Sequence, residues 1–147
     1  QTVALRSNDS AGEWGIFFWH SIDRSIRERF VAFTITPRGT FRLRTYAPFT
    51  STTGERVFRW TDLVAETHST AILSGRPNRL RVEVRPGLVK AYINGTQVLD
   101  RSNGDIDAYR SRTGFDGQVG PIVIPGGPSK STVEFRQFSI YSLANSQ

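Results

Sequence analysis

Few side chains in this 147-residue chain are equipped for acid–base or nucleophilic chemistry, and they are scattered. There are two histidines, His20 and His68, and no cysteine. A zinc site would need both histidines plus carboxylates, and neither a disulfide framework nor a cysteine-ligated metal can form. His20 alternates with Ile16 and Phe18 and is expected to point with them as a hydrogen-bonded sheet residue. His68 sits in a polar stretch near Glu66 and reads as a surface residue. Glycoside hydrolysis requires two carboxylates facing each other about 5 to 9 Å apart. Glu83 and Glu134 each stand alone on an extended segment, and Asp105 and Asp107 fall in a loop. No Gly-x-Ser-x-Gly nucleophile elbow occurs. The expectation is a protein that is not an enzyme.

Binding chemistry is better represented. Asp100, Asn103, Asp105 and Asp107 cluster in one loop. Oxygen ligands at such short spacing suit calcium, although the pattern is not an EF-hand and the same residue types commonly make turns. Trp19, Tyr46, Trp60, Tyr109 and Phe115 are available as aromatic platforms for a sugar, with Arg42, Arg44, Arg110 and Arg112 nearby in sequence. Tyr46 and Tyr109 are the aromatics expected to project, one from an arginine-bearing strand and one from a polar loop. The arginines could also hold sulfated or uronic polysaccharide through bidentate pairs. Of the 19 basic residues only Lys90 and Lys130 are lysine, which leaves 17 arginines, and the net charge is +6. Such a surface favours anionic partners, yet no helical, zinc or aromatic RNA-binding module marks a specific nucleic-acid site. Asn8-Asp9-Ser10 and Asn94-Gly95-Thr96 match the glycosylation acceptor pattern.

The elements that would position these residues are strands. Leu80, Val82 and Val84 alternate with Arg81, Glu83 and Arg85, the period-two pattern of a half-buried antiparallel strand. Pro86-Gly87 turns the chain into a second strand ending at Asn94-Gly95, the pair that most readily supplies the two positive-φ positions of a type I′ hairpin. Further strands are predicted over Thr2–Arg6, Trp14–His20, Phe30–Thr36, Phe41–Tyr46, Val57–Trp60, Gln118–Ile124 and Thr132–Leu143. Thr61–Pro77 reads as a long, weakly periodic connection, and Ser21–Arg29 as a polar interruption. Val133 and Phe135 keep one parity while Phe138 and Ile140 keep the other, which predicts a bulge near Arg136-Gln137. Strands at roughly 10-residue spacing without a long helical pattern predict an all-β, two-sheet antiparallel sandwich occupying residues 1–147 as one domain. No stretch is long and apolar enough for a membrane-spanning helix.

Four stretches, Trp14-Gly15-Ile16-Phe17-Phe18, Asn78 to Val84, Val89-Lys90-Ala91-Tyr92-Ile93-Asn94-Gly95 and Val133 to Ile140, resemble the concanavalin-A-like lectin/glucanase jelly-roll superfamily. The likeness is nearest to laminin-G-like domains and the bacterial 3-keto-disaccharide hydrolase-like group. These stretches are scaffold and imply a fold rather than an activity. The glucanases of that superfamily carry Glu-x-Asp-x-x-Glu along one strand, which no strand here has. Laminin-G-like members often hold calcium at a sandwich rim, which is what the Asp100–Asp107 loop would do by that resemblance.

The same resemblance implies one or two strands before the segment matching Thr2–Arg6. An unfilled edge there would call for a donor strand from another chain, a second copy of this one or a clipped segment. The chain has no methionine, so Gln1 is expected to follow an upstream segment. The sequence therefore favours an extracytoplasmic, secreted or cell-surface carbohydrate-binding module of lectin type. Behind it stand a structural subunit completed by strand donation and, third, a glycoside-acting enzyme.

Overall fold

The computed structural model describes residues 3–7, 12–23, 27–85, 87–101, 118–127 and 132–141. Ten strands follow in chain order: β1 (Val3–Ser7), β2 (Glu13–Asp23), β3 (Arg27–Ile35), β4 (Thr40–Thr50), β5 (Arg56–His68), β6 (Asn78–Arg85), β7 (Leu88–Ile93), β8 (Thr96–Arg101), β9 (Gln118–Ile124) and β10 (Val133–Phe135). They form two five-stranded antiparallel sheets, ordered β10-β1-β6-β7-β8 and β5-β4-β3-β2-β9. No helix among the described residues is long and apolar enough to cross a membrane.

Alternation builds the core. Trp14, Ile16 and Phe18 of β2, Val31, Phe33 and Ile35 of β3, and Phe41 and Leu43 of β4 face Leu80, Val89, Ala91, Ile93 and Leu99 of the other sheet. Burying a side chain such as Phe33, Leu43, Leu80 or Ile93 stabilises the sandwich by about 2 kcal/mol each before entropy is counted. Gly15 lies where a Cβ would come within 1.9 Å of the Phe33 carbonyl oxygen, so strands β2 and β3 meet more closely there than any side chain permits.

The β6–β7–β8 meander forms as its sequence predicts. Asn94 and Gly95 both take positive φ, 51° and 88°, the conformation a type I′ turn requires. The Asn94 side chain accepts from the Arg79 amide at 2.8 Å and donates to the Ala71 carbonyl at 2.8 Å and to Asn78 Oδ1 at 2.9 Å. Buried Asn78 in turn accepts from the Leu73 amide and donates to the Leu73 and Arg76 carbonyls. These two amides clamp the β5–β6 connection to the hairpin. The nitrogen that glycosylation at Asn94-Gly95-Thr96 would modify is therefore already committed; Asn8 lies outside the described residues.

Three expectations change: the polar interruption expected over Ser21–Arg29 is mostly strand, with β2 running through Asp23 and β3 starting at Arg27, and the other two concern β5 and β10. β5 runs through His68, so half of the supposed Thr61–Pro77 connection is strand. Its pairing with β4 shifts register on either side of Leu43, which erases the period-two signal that would have revealed it. β10 ends at Phe135, and the parity change beyond it marks the chain leaving the ladder rather than a bulge, with Phe138 still packed against the core. β1 pairs with β6 on one side and with β10 on the other, Leu5 opposite Phe135 and Arg6 opposite Glu134. The chain's own C-terminal strand thus lies beside Thr2–Arg6, and among the described residues no further strand pairs with the outer edge of β10.

Candidate functional site

The outward face of the β5-β4-β3-β2-β9 sheet gathers the chemistry. Core residues leave alternate positions of each strand pointing away from the sandwich, and the register lines these up: Thr34 opposite Arg42, Ala32 opposite Arg44, and Phe30, Tyr46 and Trp60 in one row. One end of the face is ionic and the other aromatic.

At the ionic end Glu13 of β2 is the hub. Its carboxylate pairs with Arg44, lies 3.7 Å from Arg42, and accepts from the Thr34 hydroxyl at 2.8 Å. Arg42 also pairs with Glu66, which accepts from the Thr40 hydroxyl at 2.7 Å. Thr34 is fully buried and Arg44 is 7% exposed, so this is a partly desolvated network rather than a fringe of surface charge. The Thr40 hydroxyl, and after it the Arg42 guanidinium, hold Glu66 below the usual carboxylate range. Burial works against the charge on Arg42, but its hydrogen bond to Glu66 and the nearby Glu13, Glu66 and Asp62 carboxylates raise its pKa overall. The Nε–H groups of Arg42 and Arg44 are buried and have no acceptor among the described residues.

At the aromatic end the rings form a continuous run. Tyr46 stacks on Phe58 at 5.5 Å between centroids and meets Trp60 at 5.1 Å and Phe30 at 5.2 Å. Phe17 and His20 extend the run, 5.8 and 5.9 Å from Phe30. The Arg44 guanidinium lies 4.4 Å over the Trp60 ring and joins the two ends.

His20 reaches this face through an irregularity. The β2–β3 register shifts between Phe18 and Ser21, and Trp19 adopts φ 56°. The parity of the strand inverts there: Trp19 turns toward the core, and His20 joins Phe17 and Phe30, its Nδ1 3.0 Å from Gln118 Oε1. This corrects the expectation that His20 shares a face with Ile16 and Phe18. A bulge is set by the register of three strands, which alternation along one strand does not report.

Among the sequence-predicted residues, Tyr46, Arg42 and Arg44 come together on this face as expected of an arginine-bearing strand. Tyr109, Arg110 and Arg112 lie outside the described residues. For the calcium loop, Asp100 is 3.5 Å from Lys90 Nζ and Asn103, Asp105 and Asp107 lie outside the described residues. Among the described residues no cluster of three or more His, Asp or Glu side chains is placed to hold a metal ion. Reasoning from sequence missed Glu13 and Glu66 as partners of the arginines, and Thr34 and Thr40 as donors to those carboxylates, because they come from four strands. Only the outward parity of Arg42 and Arg44, beside carboxylates on other strands, hinted at them.

No protein-family model matches the chain, and no curated protein matches its sequence. Among solved structures the chain is similar to the kappa-carrageenase from Pseudoalteromonas carrageenovora in complex with an oligotetrasaccharide of kappa-carrageenan, at a TM-score of 0.51 and 12% identity, over 98% of this chain and 55% of that one. It therefore spans about half the length of that enzyme. It is also similar to sheep Galectin-11 in complex with glycerol, at a TM-score of 0.43 and 11% identity, over 90% of this chain and 88% of that one. The carrageenase likeness, at this identity, establishes the fold alone: a two-sheet antiparallel β-sandwich of jelly-roll type.

Proposed function

We propose that this chain is a non-enzymatic carbohydrate-binding module whose ligand lies across the Phe30, Tyr46, Trp60 and Phe58 rings. The observation that carries the reading is the contiguity of that aromatic run with a fixed arginine network on one sheet face. Aromatic rings receive the apolar C–H faces of a pyranose, while polar groups in fixed positions orient its hydroxyls. Arg42, 24% exposed in its side chain, and Arg44 over the Trp60 ring are the fixed polar groups beside the rings. Both arginines are already neutralised by Glu13 and Glu66, which favours a neutral sugar over a sulfated or uronic one. The proposal keeps the secreted or cell-surface setting and the kinship with laminin-G-like domains that the sequence suggested.

Glu66 is not suited to the role of a glycosidase general acid. A glycosidase acid must hold its proton near neutral pH and so needs a raised pKa, whereas Glu66 is held ionised.

Glycan-array screening followed by calorimetry tests the proposal. Tyr46→Ala and Trp60→Ala are each expected to weaken binding of the selected glycan by roughly tenfold or more, with circular dichroism unchanged. Affinity should be nearly independent of salt. Binding that survives the double variant, selects only acidic polysaccharide, or is accompanied by turnover of the glycan would refute it.

A further inference from the structure

Sheet edges expose unpaired backbone groups, and folded chains usually blunt them. Of the four sheet edges among the described residues three are blunted: β9 carries Pro121 in mid-strand, β10 is three residues long, and β8 pairs with β7 through a register shift. β5 is different. It is 13 residues long, contains no proline, and lies at the edge of its sheet. Its C-terminal half is partly capped, since Arg101 Nη2 donates to the Leu63 carbonyl at 2.9 Å and the Thr67 hydroxyl donates to the Ala65 carbonyl at 2.8 Å. Its N-terminal half, Arg56 to Asp62, pairs with β4 in unbroken register and, among the described residues, has no such cap. Arg56, Val57, Phe58, Arg59, Thr61 and Asp62 are all exposed.

We infer that this half of β5 is the docking edge for a second copy of the same chain, joined antiparallel about a twofold axis at Arg59. The segment is self-complementary when read backwards. On the outward face its residues run Arg56, Phe58, Trp60, Asp62, so antiparallel pairing about Arg59 sets Arg56 opposite Asp62 of the second copy and Phe58 opposite its Trp60. Each pair occurs twice by symmetry. Cross-strand pairs of opposite charge and of aromatics are the units that stabilise a sheet. On the other face Val57 meets Thr61, and the two Arg59 side chains approach at the axis. Each Arg59 guanidinium lies 3.7 Å over its own Phe49 ring, which takes it partly out of this like-charge contact. The joined sheet has ten strands and runs the two aromatic faces into one.

Sedimentation velocity on the whole chain across the micromolar range tests this, with circular dichroism as a fold control. The unaltered protein should pass from monomer to dimer with concentration. Arg56→Asp alone places carboxylates opposite Asp62, and Asp62→Arg alone places guanidiniums opposite Arg56; each should weaken self-association by roughly tenfold or more. Mixing the two variants restores opposite charges in every pair and should return a heterodimer. Arg59→Thr should tighten the dimer at low salt. The inference is overturned if the protein stays monomeric throughout the range, if the single variants dimerise like the parent, or if the mixture of folded variants fails to associate.

Discussion

The two outward faces of the sandwich carry similar residue types to different ends. On the β10-β1-β6-β7-β8 sheet the charged residues pair locally: Arg81 with Glu83 two positions along, Lys90 with Asp100 across one strand pair, Glu134 with Arg136 at 3.2 Å. Both Glu134 and Arg136 are about 60% exposed in their side chains, and Arg81 is 53% exposed. Water screens such contacts. On the opposite sheet Glu13, Thr34, Arg42, Arg44 and Glu66 come from four strands; Glu13, Thr34 and Arg44 are largely out of water, while Glu66 stands at the exposed rim. The first face keeps the protein hydrated. The second fixes side chains in place, which is what a binding surface needs.

Stability measurements should separate the two faces. Glu13→Ala leaves the nearly buried Arg44 without its counter-charge and Thr34 without its acceptor, and is expected to cost about 3 kcal/mol in urea unfolding. A loss below about 1 kcal/mol would mean that water replaces the carboxylate and that the face is no more rigid than its opposite.

A pH series gives a smaller, signed effect. Glu66 has a depressed pKa in the fold, so its contribution is complete above the ordinary glutamate value of about 4.3 and is lost as pH falls through the lower folded value. The urea midpoint should therefore drop in acid, and Glu66→Gln should flatten that drop while lowering stability near neutrality. An unchanged acid slope in the variant would remove Glu66 from the network.

The smallest change is expected on the other face. Glu83→Ala should shift stability by no more than about 0.5 kcal/mol, because its partner Arg81 is exposed and also lies over the Tyr92 ring at 4.6 Å. A cost comparable to that of Glu13→Ala would erase the contrast.

Sequence legibility followed locality. The β6–β7–β8 meander could be read because alternation, Pro86-Gly87 and Asn94-Gly95 act within a few residues. Tyr46, Arg42 and Arg44 could be read as one strand face for the same reason. Val57–Trp60 could be read as strand too, but the rest of β5 could not, because its bulges against β4 break the period, and His20 was assigned to the wrong face because a single bulge inverts parity.

By itself the sequence determined the strands, their apolar faces and the antiparallel sandwich, since each depends on period-two burial and turn chemistry encoded by neighbours. Tertiary structure alone decided which carboxylate meets which arginine, that four rings from three strands form one surface, and that β10 pairs with β1. Those contacts join residues tens of positions apart, and their partners are chosen by strand register, which no single strand contains.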